Sequence, residues 1–178
     1  MKKITLIVSL IISAAALFGC DFVFVDIKPQ SCPNPFNLKS KGVLPVAILG
    51  TDEFDVYDVN TASIKLFLLY EDPPVEIEIQ AIAGKIDHND VSTPFEEQAD
   101  CNCIETGPDG FMDLVVYFDS QELAAAIEDF EDAAGITLLD NEELPLYLVA
   151  ELWANTDPDT YDIGGYDCIR ILKKGNNE

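Results

Sequence analysis

The run Gly42-Val43-Leu44-Pro45-Val46-Ala47-Ile48-Leu49-Gly50 decides the fold class. Its interior is continuously apolar, it is bounded by glycines, and it is too short for an ordinary helix, so it predicts a buried β-strand. Pro45 cannot donate a hydrogen bond to a neighbouring strand. We therefore expect one side of the start of this strand to lie at an edge or a bulge.

Further strands are predicted on both sides of this run, and only one segment has a helical period. Leu123, Ile127, Phe130 and Ala134 repeat at helical spacing, with Asp119 as the start signal and Gly135 as the stop signal. The predicted strands cover residues 22–27, 62–70, 75–82, 111–118, 144–153 and 166–172. Short strands separated by Pro and Gly predict a mainly β protein: a Greek-key-like β-sandwich with one short amphipathic helix.

The N-terminus has the three regions of an export signal. Lys2 and Lys3 precede an apolar segment of residues 4–18, and Gly19-Cys20 resembles the bacterial lipobox. We expect residues 1–19 to be a lipoprotein signal peptide and residues 20–178 a single domain. Lipidated Cys20 would then tether that domain in the cell envelope, on the outer face of the cytoplasmic membrane or on the outer membrane. The alternative is an ordinary secretory signal followed by a chance cysteine.

The charge of the chain is strongly negative and unevenly distributed. The sequence has 178 residues with 10 Lys+Arg and 33 Asp+Glu, a net charge of −23, so it lacks the clustered cations that nucleic-acid binding requires. Residues 86–169 contain 22 acidic residues and no Lys or Arg. Such a segment is either a solvated acidic face or a place where a bound cation relieves repulsion.

Four cysteines remain if Cys20 is acylated, and an even number in an exported domain favours two disulfides. We favour Cys32–Cys168, which leaves Cys101–Cys103 as the second pair. In the two alternative pairings, one of Cys101 and Cys103 is bonded to Cys32 and the other to Cys168. A zinc site that uses His88 is a further alternative, but the Cys101-Asn-Cys103 spacing suits zinc poorly.

One acidic loop resembles a calcium-binding loop. In an alignment on Asp109-Gly110, Glu105, Asp109 and Asp113 supply side-chain oxygens and Phe111 supplies a carbonyl. The third position is Gly107 and the twelfth is Val116, so two ligands of the standard loop are missing. A Pro-Asp-Gly turn without metal is the simpler interpretation.

Catalysis has little support in the sequence. His88 is the only histidine, and no G-x-S-x-G segment accompanies it, so we interpret it as a loop residue. Trp153, Tyr161 and Tyr166 are candidates for a sugar-binding face, but we favour core and surface-turn positions for them.

The opening of the mature domain has a long and specific motif. Residues 25–51, Val-Asp-Ile-Lys-Pro-Gln-Ser-Cys-Pro-Asn-Pro-Phe-Asn-Leu-Lys-Ser-Lys-Gly-Val-Leu-Pro-Val-Ala-Ile-Leu-Gly-Thr, resemble the opening of an uncharacterised family of exported bacterial and archaeal domains. Residues 107–118 and Asp167-Cys168-Ile169 extend the resemblance. It implies a calcium site with Asp90, Asp109 and Asp113 as ligands, and it implies no catalytic activity.

Together these features predict a lipid-anchored envelope protein with a binding or structural role, stabilised by one calcium ion, rather than an enzyme. Its expected contacts are the membrane through the lipid, and an envelope protein or polysaccharide. The alternative is an envelope hydrolase that acts on polysaccharide.

Overall fold

A computed structural model describes residues 21–94, 101, 107–154 and 161–173, and its strands form two sheets. The first sheet contains β1 (Asp21–Phe22), β3 (Pro35–Asn37), β5 (Lys65–Glu71), β6 (Pro74–Gln80), β9 (Glu143–Ala150) and β10 (Ile163–Leu172). The second contains β2 (Val25–Ile27), β4 (Val43–Ile48), β7 (Ile86–Asn89) and β8 (Asp113–Asp119). The predicted mainly β sandwich with one short helix is confirmed. None of the helices in the described ranges is long and apolar enough to cross a membrane.

The strand order follows from six antiparallel pairs and two parallel pairs. The first sheet runs β1-β10-β9-β5-β6, with β3 also paired to β10, and the second runs β2-β4-β8-β7. The β2/β4, β4/β8, β5/β6, β5/β9, β7/β8 and β9/β10 pairs are antiparallel, and β10 pairs in parallel with β1 and β3. The chain crosses between the sheets after β1, β2, β3, β4, β6 and β8. Strand alternation turns Val46, Ile48 and Leu114 of the second sheet towards Leu66 and Leu148 of the first, which makes one fully buried core.

Helix α1 (Ser120–Ala134) closes one side of the sandwich by packing against β6. The side chain of Asp119 accepts hydrogen bonds from the backbone amides of Gln121 and Glu122, and Gly135 ends the helix with a left-handed φ of 63°. Both end signals were predicted. Acidic residues near the C-terminal end of the helix oppose its dipole, and one of them, Glu131, forms an ion pair with Lys173 at 2.8 Å that reduces this repulsion.

The opposite side of the sandwich is closed by the N-terminal segment. It begins as β1 on the edge of β10, crosses to the second sheet as β2, and returns to β10 as β3. The backbones are close at this crossing, because a Cβ atom at Gly165 would lie 2.2 Å from the carbonyl oxygen of Val23. A side chain at position 165 is therefore excluded.

Two strands, β3 and β7, lie in segments where no strand was predicted. β3 lies in the proline-rich segment and β7 in the acidic segment, and both are short. Neither has an alternating apolar pattern of its own, because pairing with β10 and with β8 is what makes each of them a strand. Pro45 lies just beyond the last β2 pair, Ile27 with Val46, and so loses no hydrogen bond to β2.

Candidate functional site

The acidic turn predicted to bind calcium is built around Asp90. Its two carboxylate oxygens accept hydrogen bonds from the backbone amides of Asp109 (2.9 Å) and Gly110 (2.8 Å). The carboxylate of Asp109 in turn accepts from the amide of Phe111 at 2.9 Å. Asp90, Asp109 and Phe111 are therefore brought together, and the carboxylates of Asp90 and Asp109 accept the backbone hydrogen bonds that shape the turn.

Asp113, another predicted ligand, is fully buried, whereas Asp109 in the turn is exposed. One of its oxygens accepts from the amide of Gly50 (3.0 Å), and the other accepts from Val91 (2.8 Å) and Ser92 (3.2 Å). Burial raises the pKa of Asp113, while these three backbone hydrogen bonds act in the opposite direction. Asp113 thus connects three chain segments, which is a structural task.

The remaining predicted ligand, Glu105, lies outside the described residues. Within the ranges that the structure covers, no group of three or more His, Cys, Asp or Glu side chains is arranged to hold a metal. The described side chains alone do not fit a calcium ion, because the oxygens of Asp113 are already shared among three amides. A calcium site would need Asp90 and Asp109 together with oxygens such as those of Glu105.

A second group of acidic residues lies buried at the crossing of the N-terminal segment, and the sequence analysis missed it. One carboxylate oxygen of Asp167 accepts from the backbone amide of Ile27 (2.7 Å) and from the side-chain amide of Asn34 (2.9 Å), and the other accepts from the amide of Cys168 (2.6 Å). Burial, together with the nearby Asp26 carboxylate, raises the pKa of Asp167 to about 7, although the hydrogen bonds from Ile27, Cys168 and Asn34 act in the opposite direction. This buried acid connects the two sheets.

Asp26 differs from Asp167 because one of its buried carboxylate oxygens lacks a hydrogen-bond partner among the described residues. Burial raises its pKa to about 6, the Ser92 hydroxyl lowers it, and the Asp113 carboxylate raises it. The Ser92 hydroxyl is near Asp26 but does not have the geometry of a hydrogen bond, and Oδ2 of Asp26, Oδ1 of Asn34 and Oγ of Ser92 have no partner in the described part of the protein. The available signal was one Asp inside each of two apolar strands, Val25-Asp26-Ile27 and Tyr166-Asp167-Cys168.

The favoured disulfide pairing is wrong. Cys101 is bonded to Cys168, with Cα atoms 5.2 Å apart, so neither Cys32–Cys168 nor Cys101–Cys103 exists. In β10, Ile169 faces the core, and alternation places Cys168 on the other face of the sheet, where residue 101 meets it. Cys32 is also disulfide-bonded. Cys103 lies outside the described residues.

The other predicted candidates are separated from one another. The His88 ring stacks on Tyr57 with ring centres 4.5 Å apart. Tyr166 is buried with Phe67 and Tyr147, whereas Trp153 is 65% exposed. Since Tyr166 is inaccessible, Trp153, Tyr161 and Tyr166 do not form a joint sugar-binding face.

A pocket of about 660 Å³ lies at the end of the sandwich where α1 begins and β10 ends, and we call it the lysine pocket. It is lined by Leu38, Lys39, Ser40, Lys41, Gln121, Ala124, Ala125, Glu128, Glu131 and Lys173. Lys173 is paired with Glu131, whereas the ammonium groups of Lys39 and Lys41 form no ion pair with any described residue. The lining carries a net charge of about +1, in a chain whose net charge is −23.

The fold and these sites define a disulfide-bonded two-sheet β-sandwich with an acidic turn at one end and a lysine-lined pocket at the other. The chain matches no family model, and comparisons with curated proteins and with solved structures found no match. The resemblance of residues 25–51 to a family of exported domains therefore stays a prediction.

Proposed function

We propose that this protein is a lipid-anchored component of the cell envelope whose sandwich domain binds an anionic polysaccharide and has no catalytic role. The Cys101–Cys168 disulfide supports export, because such bonds persist in oxidising compartments. The observation that carries the binding role is the lysine pocket.

The chemistry of the pocket suits a sugar that carries a carboxylate or a phosphate group. Lys39 and Lys41 are free to pair with an anion, and Ser40 and Gln121 can exchange hydrogen bonds with hydroxyl groups. The apolar side chains of Leu38 and Ala124 can contact the apolar face of a sugar ring. The negative charge of the rest of the chain is screened beyond roughly 8 Å at physiological ionic strength, so it does not prevent local recognition.

Binding of polygalacturonate to the mature domain, measured by calorimetry at several salt concentrations, tests this role. We expect affinity that falls as salt rises, and that is lost in the double variant Lys39→Gln/Lys41→Gln. Lys65→Gln is the matched control, because Lys65 is paired with Glu78 on a strand away from the pocket. Equal binding by both variants would contradict the proposal.

An assay for reducing ends in the same mixture of protein and polygalacturonate distinguishes binding from hydrolysis. A module that only binds releases no reducing ends from polygalacturonate after prolonged incubation. Release of reducing ends by the purified protein would favour the alternative, an envelope hydrolase.

Acylation and calcium have separate tests. Metabolic labelling with a fatty acid should mark the protein, and a Cys20→Ala variant should remain unlabelled.

For calcium, we propose a weak site formed by Asp90 and Asp109 together with Glu105. A calcium concentration ten times the Kd would stabilise the fold by roughly 1.4 kcal/mol. Asp109→Asn keeps an oxygen for the Phe111 amide, so it should lose the calcium-induced rise in Tm but keep the turn.

A further inference from the structure

The domain begins without a linker after the predicted anchor. Asp21, which follows Cys20 directly, is already the first residue of β1, and its amide donates to the carbonyl oxygen of Asp162 at 2.7 Å. Consecutive Cα atoms are only about 3.8 Å apart. If Cys20 is acylated, the start of the first sheet is therefore held at the bilayer surface.

One end of the sandwich surrounds this attachment point, and we call it the anchor end. It is formed by β1, the starts of β8 and β10, and the ends of β4 and β9. The register places these together, because Asp21 pairs with Ile163, which pairs with Ala150. In the second sheet, Ile48 at the end of β4 pairs with Leu114 at the start of β8.

The exposed large hydrophobic residues are concentrated at the anchor end. Of the seven in the described ranges, five lie there: Phe22, Tyr57, Phe111, Met112 and Trp153. The other two, Val43 and Leu139, lie at the opposite end. Exposed apolar groups gathered on one face mark an interaction surface, whereas scattered ones do not.

Backbone contacts connect these residues to the attachment point. The Asp162 carboxylate accepts from the amide of Leu152 at 2.7 Å, and the amide of the next residue, Trp153, donates to the carbonyl of Asp58 at 2.9 Å. Tyr57 is adjacent to Asp58 in the short 3-10 helix Val56–Asp58. Trp153 and Tyr57 are therefore on the same rigid surface as Asp21.

We infer that the anchor end rests directly on the phospholipid bilayer, with Phe22, Trp153 and Phe111 at the depth of the headgroups. The inference rests on the proposed acylation of Cys20. Trp and Tyr favour the membrane interface because their rings combine an apolar body with a polar group. Asp58, Asp90 and Asp109 lie at the same end, so a zwitterionic surface suits it better than an anionic one.

This orientation places the lysine pocket at the far end of the domain. β10 spans ten residues, and at roughly 3.3 Å per residue it separates the two ends by about 30 Å. A polysaccharide beyond the membrane could reach Lys39 and Lys41 while the anchor end stays on the lipid.

Trp153 is the only tryptophan, so its fluorescence reports on one position. The acylated protein is reconstituted into phosphatidylcholine vesicles whose acyl chains are brominated near the headgroup, and flotation verifies anchoring. We expect a loss of Trp153 emission relative to unbrominated vesicles, and a blue shift relative to the unlipidated domain. The matched control is Trp153→Phe/Leu139→Trp, since Leu139 is 67% exposed at the opposite end. Its emission should be unchanged by the brominated lipid.

The outcomes distinguish this inference from the proposed function. Flotation with an unquenched Trp153 overturns the resting orientation but leaves the anchor in place. Quenching of tryptophan at both positions 153 and 139 also overturns it, because the domain would then have no fixed orientation. Failure to float overturns the acylation itself, and with it the inference.

Discussion

The carboxylate of Asp167 accepts a hydrogen bond from the backbone amide of Ile27, 140 residues earlier in the chain, at 2.7 Å. Ile27 ends the edge strand of the second sheet, and Asp167 belongs to β10 of the first sheet. The bond satisfies an edge amide that has no strand partner, and it joins the two sheets. The bond requires a carboxylate in the protein interior, where burial raises the pKa of Asp167 to about 7.

We expect the free energy of unfolding to decrease as pH rises from about 4 to 7. Burial raises the folded-state pKa values of Asp26 and Asp167 to about 6 and about 7, against an ordinary carboxyl value of 3.8. A raised carboxyl pKa contributes stability that is complete below the unfolded pKa and is lost as pH rises through the folded pKa. For Asp167 alone the loss is on the order of 4 kcal/mol. Urea unfolding at several pH values measures it, and constant stability over this range would contradict the prediction.

Asp26→Asn should stabilise the protein at pH 8 and have little effect at pH 4. Among the described residues, Asp26 Oδ2 has no hydrogen-bond partner, so an amide removes a buried charge and brings a donor near the Ser92 hydroxyl. The gain at pH 8 is roughly 3 kcal/mol if the whole pKa shift is removed. Chemical denaturation at the two pH values tests this, and a loss of stability at pH 8 would refute it.

Asp167→Asn should stabilise the protein at pH 8 by less than its own pKa shift implies, because removal of the buried charge is offset by a lost hydrogen bond. Both oxygens of Asp167 accept hydrogen bonds, so the amide nitrogen of Asn would face another donor. That donor is either the backbone amide of Cys168, or the backbone amide of Ile27 and the side-chain amide of Asn34. One unsatisfied buried donor costs about 1–3 kcal/mol. Chemical denaturation of this variant at pH 8 measures the offset, and a gain as large as the whole pKa shift, on the order of 4 kcal/mol, would count against this assignment.

Gly165→Ala should lower the free energy of unfolding by about 1–3 kcal/mol or more. The new Cβ would lie 2.2 Å from the Val23 carbonyl oxygen and 2.8 Å from Cγ2 of Val25, so the crossing backbones must move apart. Gly107→Ala is the control, because no atom lies within 4 Å of a Cβ at that position. Calorimetry should show a lower Tm for the first variant only.

Cys101→Ser should destabilise the oxidised protein by about 4 kcal/mol, the chain-entropy estimate for a cross-link of this span. The bond joins positions separated by 67 residues and fixes residue 101 against β10. Non-reducing peptide mapping should recover a peptide that contains Cys101 and Cys168. Recovery of Cys32 bonded to Cys168 would contradict the structure.

Local sequence pattern predicted the parts of the fold whose residues carry their own signal. The apolar run 42–50 contains β4, and the helix has the predicted ends at Asp119 and Gly135. Both features depend on a few residues that are neighbours in the sequence. β3 and β7 carry no such signal, since their pairing energy comes from β10 and β8. The Cys101–Cys168 bond likewise depends on which sheet face each cysteine reaches.

The sequence alone determined the secondary-structure class, the strong acidity, the export-like N-terminus and the turn at Pro108-Asp109-Gly110, all of which follow from composition and short-range spacing. Only the tertiary structure decided that Asp26 and Asp167 are buried where the two sheets meet, that Lys39 and Lys41 line a pocket, and that Trp153 lies beside the start of the domain. The physical reason is that burial, pKa and charge pairing depend on neighbours that are distant in sequence, and only the packing of the two sheets brings those neighbours together.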